Sequence, residues 1–290
     1  MKTLSAPQPE PPRALILCAD DFGLSDGISA TIAELAAMRR LSAVSCMAVL
    51  PDWRRQARRL RGLGVELAVG LHLVLTDEAP LGAMRAFAPD GRMPQVDPLT
   101  RRATLGAVPL AEVADEVHRQ FDAFEAEWGR PPDFVDGHQH VHMLRGIRAV
   151  VMAITARRAP GAWVRNCADR IAAILARPHL DRALRSAMLS RGLAEDAARA
   201  GLRTNDSFAG YYDFRGNYAD LFPRFLVRPG PTHLVMCHPG GGRAPGDRIA
   251  EARLREAAVL RSEGFEPLLE AAGLVLTAYR APRPVLQLAG

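Results

Sequence analysis

The sequence predicts an α/β fold: a single domain forming an irregular (β/α) barrel, similar to a TIM barrel. Three observations point there. Short apolar runs of strand length alternate with helical periodicity along most of the 290 residues. No fixed-period repeat interrupts that alternation. Polar residues return at one place in the pattern, because Asp20 and Asp21, His72, His138 and His238 each fall at the C-terminal end of a predicted strand. Ligands bind at that end of the strands in (β/α) barrels and in open α/β sheets alike.

Residues 1–12 are Pro-rich and read as a disordered leader, with the domain over 13–290. Ala14–Ala19 is a continuous apolar run that ends in Asp20-Asp21-Phe22-Gly23. Ser25 or Asp26 can cap a helix reaching Arg40, with Ile28, Ile32, Leu35 and Ala36 on one face. Leu41–Leu50 and Val65–Leu75 are further strand candidates, separated by a helix that opens at Pro51. Thr76–Pro109 is rich in Pro, Gly and Asp and reads as a long loop, of the kind usually functional or mobile. Leu110–Trp128 is helical by period, Phe134–Asp136 is a strand, and a helix follows from about Leu144 to Arg158. After a short strand at Ala162–Arg165, Asp169–Ala200 is an Ala/Arg-rich helical region broken at Pro178. Leu202–Phe208 is extended, Tyr211–Arg228 is partly helical, and His233–His238 is a buried strand. A helix over Asp247–Ala272 and a strand over Leu274–Thr277 close the pattern.

Composition removes several classes. With 48% hydrophobic and 24% charged residues the chain can bury a large core. The net charge is only +5, Lys2 is the sole lysine, aromatic content is 6%, and no block of five or more like charges occurs. A nucleic-acid partner is therefore not expected. Cys18, Cys46, Cys167 and Cys237 are widely spaced without a Cys-x-x-Cys, as in buried free thiols of a reducing compartment. No signal-peptide pattern is present, and no apolar run approaches the ~20 residues that span a bilayer. These features predict a soluble, cytoplasmic protein; a homodimer is the one candidate assembly, and composition does not decide it.

The chemistry concentrates in Asp136-Gly-His-Gln-His-Val-His142, which holds three of the eight histidines. Neutral imidazole binds divalent metals and moves protons near neutral pH. On a strand, His138, His140 and His142 would share one side, whereas on a helix only His138 and His142 would share a face. His138 lies nearest the strand end and is the first candidate ligand, with His142 as the fallback if a helix begins there. His140 and His142 are otherwise candidates for substrate contact. Adjacent Asp20 and Asp21 repel each other unless one binds a metal and the other takes a proton, and Gly23 allows a sharp turn after them. His72 reads as a ligand from its strand end. His238, followed by Pro239 and three glycines, is the candidate proton donor. His118, His179 and His233 read as surface or structural residues. A carboxylate with two histidines suits Zn²⁺, Fe²⁺, Mn²⁺ or, less typically, Mg²⁺, and the reaction class that follows is metal-assisted hydrolysis of an amide or ester.

Four motifs carry a resemblance: Ala19-Asp-Asp-Phe-Gly23, Gly70-Leu-His-Leu-Val-Leu-Thr76, Asp136-Gly-His-Gln-His-Val-His142 and Met236-Cys-His-Pro-Gly240. Together, and in this order, they resemble the YdjC-like carbohydrate deacetylases, a family that includes chitooligosaccharide and hopanoid-associated deacetylases. The resemblance covers roughly residues 14–280. It implies an irregular (β/α) barrel, one divalent metal ion (Mg²⁺ or Zn²⁺, with Mn²⁺ a further candidate) and removal of acetyl from an N-acetylated amino sugar. It implies Asp21, His72 and His138 as metal ligands, Asp20 as general base and His238 as acid. The family often carries Asn where Cys18 stands.

Residues of about 165–230 match the family least, and substrate choice is expected there. Arg165 and Asn205, within Trp163-Val-Arg-Asn166 and Thr204-Asn-Asp-Ser-Phe208, are candidate sugar contacts. The basic, amphipathic 169–203 region reads as a solvated helix or a peripheral membrane contact. The substrate is therefore a small carbohydrate or a lipid- or nucleotide-linked amino sugar. A phosphoesterase on the same barrel and a non-catalytic carbohydrate-binding protein are the alternatives.

Overall fold

The computed structural model describes residues 12–242 and 246–279. The expected leader falls, apart from Pro12, outside the described residues.

Nine strands form one sheet: β1 (Arg13–Phe22), β2 (Ala43–Cys46), β3 (Ala68–Leu73), β4 (Phe134–Gly137), β5 (Trp163–Val164), β6 (Arg203–Thr204), β7 (Ser207–Ala209), β8 (Thr232–Cys237) and β9 (Leu274–Leu276). Every pairing is parallel, and the path runs β6-β5-β4-β3-β2-β1-β8-β7, with β9 on the start of β1. Read as a ring, this is chain order. The two ends of the path, β6 and β7, are separated by only Asn205 and Asp206, so the sheet must curl until its edges meet. No ladder joins those edges among the described residues. Instead the Asn205 side chain ties the segment after β5 to β7, accepting from Asn166 N–H (2.8 Å) and donating to the Asn166 and Ser207 carbonyls (2.8 and 3.0 Å). The result is the expected α/β barrel-like single domain, open along one seam.

Helices follow the strands: α1 (Asp26–Ala37), α2 (Trp53–Arg61), α3 (Val96–Thr104), α4 (Leu110–Trp128), α5 (Ile147–Arg158), α6 (Ile171–Ile174), α7 (Leu180–Leu189), α8 (Leu193–Arg199), α9 (Tyr218–Phe225), α10 (Ala250–Arg261) and α11 (Phe265–Ala271). Ser25 caps α1 through the Ile28 amide, as its sequence position suggests. The expected loop over 76–109 contains α3, which its Pro and Asp content obscured. Pro98 sits in the first turn, where no helical amide is lost, and Leu99 and Ala103 bury one face. The rest of that loop is pinned to α4, because Glu112 accepts from the Ala86 and Phe87 amides and Glu116 from the Leu81 amide. The single helix expected over 247–272 is two, broken at Ser262–Gly264.

Strand alternation sorts the core. Leu15, Leu17 and Ala19 of β1 pack in the large apolar cluster with α1, α4, α5 and α10. Ile16 and Cys18 join Ala43, Ala68, Phe134, Trp163, Leu234 and Met236 in the second cluster. There Phe134 and Trp163 stack at 4.2 Å. At Gly70 a Cβ would meet the Phe134 ring at 2.4 Å, so the ring occupies the space a side chain would need.

Candidate active site

Continuing the second face of each strand by steps of two builds the site from apolar residues upward. Ile16 and Cys18 lead to Asp20, Ala43 to Ser45, and Ala68 and Gly70 to His72. Phe134 leads to Asp136, Trp163 to Arg165, and Leu234 and Met236 to His238. Each strand is apolar along its length and polar at its C-terminal end. The parallel register sets His72 beside Asp136.

Asp20 and Asp21 would point to opposite faces in a regular strand. Asp21 instead has a left-handed backbone (φ 66°), and Gly23 follows at φ 106°. The strand bulges against β2 here, and Asp21 is brought back to the same strand ends as Asp20, where the two carboxylates take different partners. Asp20 meets Arg165, whose Nη1 donates to Oδ2 (2.6 Å) and Nη2 to Oδ1 (2.5 Å). Arg165 Nη2 also lies 2.5 Å from Asp136 Oδ2. Asp21 Oδ1 faces His138 Nδ1 (3.0 Å) and His72 Nε2 (3.4 Å), while its Oδ2 accepts from Arg253 (2.7 Å). Burial raises the Asp21 carboxyl, but Arg253 and His138 outweigh it and hold the group well below the usual carboxylate range.

His72 is oriented from behind. Its Nδ1 donates to Asp136 Oδ1 (2.7 Å), and the Ser45 hydroxyl bonds to both (2.9 and 2.5 Å). Nε2 is thereby turned toward Asp21. Burial lowers the His72 pKa, but the Asp136 charge and hydrogen bond overturn this and bring it to about 10. For Asp136, burial is likewise outweighed by Arg165 and His72, and its pKa falls to about 2.

One oxygen of Asp21 and one nitrogen each of His72 and His138 lie within 4.8 Å of one another. This carboxylate and bis-imidazole set fits a divalent cation, and the carboxylate behind His72 is the usual device for fixing a ligating ring. A second convergent group, Cys18, Asp20 and Asp136, is already filled by the Arg165 guanidinium.

His238 follows β8 and sits edge-on to Phe214 (5.3 Å), with its Nδ1 buried and without a partner. Burial pushes its pKa down to about 4, against the pull of Asp21 and Asp20. Its backbone amide donates to Glu256 Oε2 (2.5 Å). Burial pushes Glu256 up to about 7.

The model of the YdjC-like protein family matches residues 14–271, from β1 through α11. The chain belongs to this family. A chitooligosaccharide deacetylase of Klebsiella pneumoniae (strain 342) is 30% identical over 272 residues, covering 92% of this chain and 98% of that one. A Serratia marcescens protein of the same name is 38% identical over 142 residues, 49% of this chain and 55% of its own. Among solved structures, an Enterococcus faecalis V583 protein described as a cellobiose-phosphate cleavage protein superposes with a TM-score of 0.69. It is 22% identical and covers 92% of this chain and 97% of that one. That likeness establishes a shared fold.

In this YdjC-like chain the structure brings Asp20, Asp21, His72, His138 and His238 to one end of the barrel. The 136–142 stretch is neither strand nor regular helix beyond Gly137. It is a 3₁₀ turn kinked by left-handed Gln139 and His140 (φ 52° and 60°), so the three rings go three ways. His138 reaches Asp21. His140 lies between Phe208 and Tyr211 (5.9 and 5.4 Å) and near Cys167. His142 turns inward, fully buried, and bonds through Nε2 to the Arg165 carbonyl (2.9 Å). It is therefore placed neither as a ligand nor on a surface a substrate reaches.

Arg165 and Asn205, expected as sugar contacts, are also buried. The guanidinium of Arg165 is spent on Asp20 and Asp136, and the amide of Asn205 closes the barrel seam. Sequence reading missed Ser45, Arg253 and Glu256, and gave Asp136 no role. Ser45 had a faint signal as the lone hydroxyl in the apolar Ala43-Val-Ser-Cys46. Arg253 and Glu256 had none, being two charges on a helix otherwise full of charges.

Proposed function

We propose that this YdjC-like protein is a metal-dependent hydrolase that removes the acetyl group from an N-acetylated amino sugar, releasing acetate. The substrate class is an N-acetylglucosamine-containing oligosaccharide or glycoconjugate, in keeping with the names of its relatives. One observation carries the reading: a left-handed residue keeps two adjacent buried carboxylates at one site, where they take different partners, Asp20 an arginine and Asp21 two histidines. That is the division of labour hydrolysis of an unactivated amide needs.

Asp21, His72 and His138 would hold a divalent ion, which would supply Lewis-acid polarisation of the acetyl carbonyl and activation of water. Zn²⁺, Mg²⁺ and Mn²⁺ are the candidates. Asp20, kept in one orientation by the two-pronged Arg165 contact, takes the proton of the attacking water. His238 gives a proton to the leaving amine. It is neutral at rest, takes a proton from solvent as negative charge builds beside it on the tetrahedral intermediate, and passes that proton to the amine nitrogen as the C–N bond breaks. Four buried, unbridged cysteines support the cytoplasmic placement.

Acetate release from N-acetylglucosamine oligomers and glycoconjugates, with each of the three metals and beside phosphate release from sugar phosphates, tests the assignment. Metal-dependent acetate release that disappears in Asp20→Asn supports it. Phosphate release without acetate, or tight sugar binding without turnover, would replace it.

A further inference from the structure

Helix α10 sends two buried charged side chains, Arg253 and Glu256, into the site from behind. They are three residues apart and so share a face of the helix, and both are almost wholly buried. Arg253 Nη2 donates to Asp21 Oδ2 (2.7 Å), its Nε to Asp247 Oδ2 (2.9 Å), and its Nη1 lies 3.5 Å from the His238 carbonyl oxygen. Its own carbonyl accepts from the Gly240 amide (3.2 Å). Glu256 takes the other side of the same peptide segment, accepting from the His238 amide with Oε2 and from the Tyr212 hydroxyl with Oε1. His238 is thus held by α10 through both its N–H and its C=O. Asp21 is held by that helix through one of its two oxygens.

We infer that α10 is the positioning element of the site. Arg253 restricts Asp21 to a single ligating oxygen, and Arg253 with Glu256 sets His238 at a fixed distance from it. The inference rests on the proposed hydrolase reading. The physical argument is that a carboxylate free at both oxygens can chelate, rotate or bridge. With Oδ2 engaged by a guanidinium, only Oδ1 is left to face His72 and His138. A buried ion pair of this kind is often no more stabilising than apolar residues of the same volume, so stability alone does not account for Arg253. A point charge cannot replace it, because three directions of donation converge on Asp21, Asp247 and the His238 carbonyl.

Arg253→Lys in the full chain tests this, read by Zn²⁺ affinity in a competition titration, by kcat and KM for acetate release, and by thermal melting. Groups that orient metal ligands typically contribute 10–100-fold in metal affinity or activity. The expected result is a folded protein whose Zn²⁺ affinity and kcat each fall tenfold or more with KM unchanged. Added guanidinium should restore part of the loss in Arg253→Ala. Glu256→Gln should lower kcat and leave Zn²⁺ affinity at the wild-type value, because it touches His238 and not Asp21. Should the Arg253 variants not fold, Asp247→Asn frees the far end of the guanidinium while sparing Asp21, and is expected to weaken Zn²⁺ binding severalfold. Wild-type Zn²⁺ affinity and kcat in the folded Arg253→Lys protein, or failing that in Asp247→Asn, overturn the inference and leave the hydrolase reading intact. A wild-type protein that binds none of Zn²⁺, Mn²⁺ and Mg²⁺ overturns both.

Discussion

The ends of β1, β3 and β4 and the seam between β5 and β7 are built differently. At the first, Asp20, Asp21, His72, Asp136, Arg165 and Ser45 interlock, each side chain buried and held by at least one other. At the second, strands of two or three residues meet across one asparagine, and the connecting α6–α8 segment exposes Ile171, Leu175 and Met188. Chemistry that depends on sub-ångström placement sits where long parallel strands fix the backbone. The seam is built from shorter elements, β5, β6 and β7, of two or three residues each. The contrast is between a region of interlocked buried charges and a region of short strands closed by one amide side chain.

Four outcomes would sharpen or break that contrast. Asp20→Asn should reduce acetate release by about 10²–10⁴-fold while leaving metal binding intact, since the ligand set lies on the other carboxylate. Near-normal turnover would remove Asp20 from the mechanism. Arg165→Met should cost about 3–5 kcal/mol in urea unfolding, because it leaves Asp20 and Asp136 buried together without their cation. A loss below about 1 kcal/mol would mean that the interlock is not what stiffens the strand ends.

Acid should destabilise the metal-free protein early. Burial lowers His142 to about 4, and burial with Arg177 lowers His233 to about 3. The unfolded chain takes protons near pH 6.5 while these native rings refuse them, so stability falls as pH drops from 6.5 toward 4, by on the order of 3 kcal/mol for each ring. His72 runs the other way. Its raised pKa gives a contribution that is complete below pH 6.5 and lost as pH rises through 10. Thermal melts across pH 4–7 read the acid window, and a flat profile would contradict it. Asn205→Ala should cost the least, about 1–3 kcal/mol for the carbonyls and amide it strands, with kcat nearly unchanged. A collapse of kcat would show that the seam and the strand ends are one mechanical unit.

Much of this was legible beforehand. Apolar runs of strand length gave β1 to β5, β8 and β9 their places, the one extended stretch expected over Leu202–Phe208 is two strands, β6 and β7, and the helical period gave Leu110–Trp128 its bounds. The recurrence of Asp and His at strand ends gave the five residues at the site, because in a parallel sheet all C-terminal ends face one way. The α3 helix was hidden because its stability comes from burying Leu99 and Ala103 against the rest of the protein, not from local propensity.

Sequence by itself determined which residues stand at the strand ends, since strand length and period two are local properties of the chain. Only the tertiary structure decided what each one does there. The left-handed turn at Asp21 keeps both carboxylates at one site, and their partners distinguish two residues that look equivalent in the sequence. The kinked turn after Gly137 gives three similar histidines three different surroundings. Arg165 became a counter-ion of Asp20 and Arg253 a tether of Asp21, each across more than a hundred positions of the chain. Pairing at that separation is set by how the strands and helices pack, and no local pattern records it.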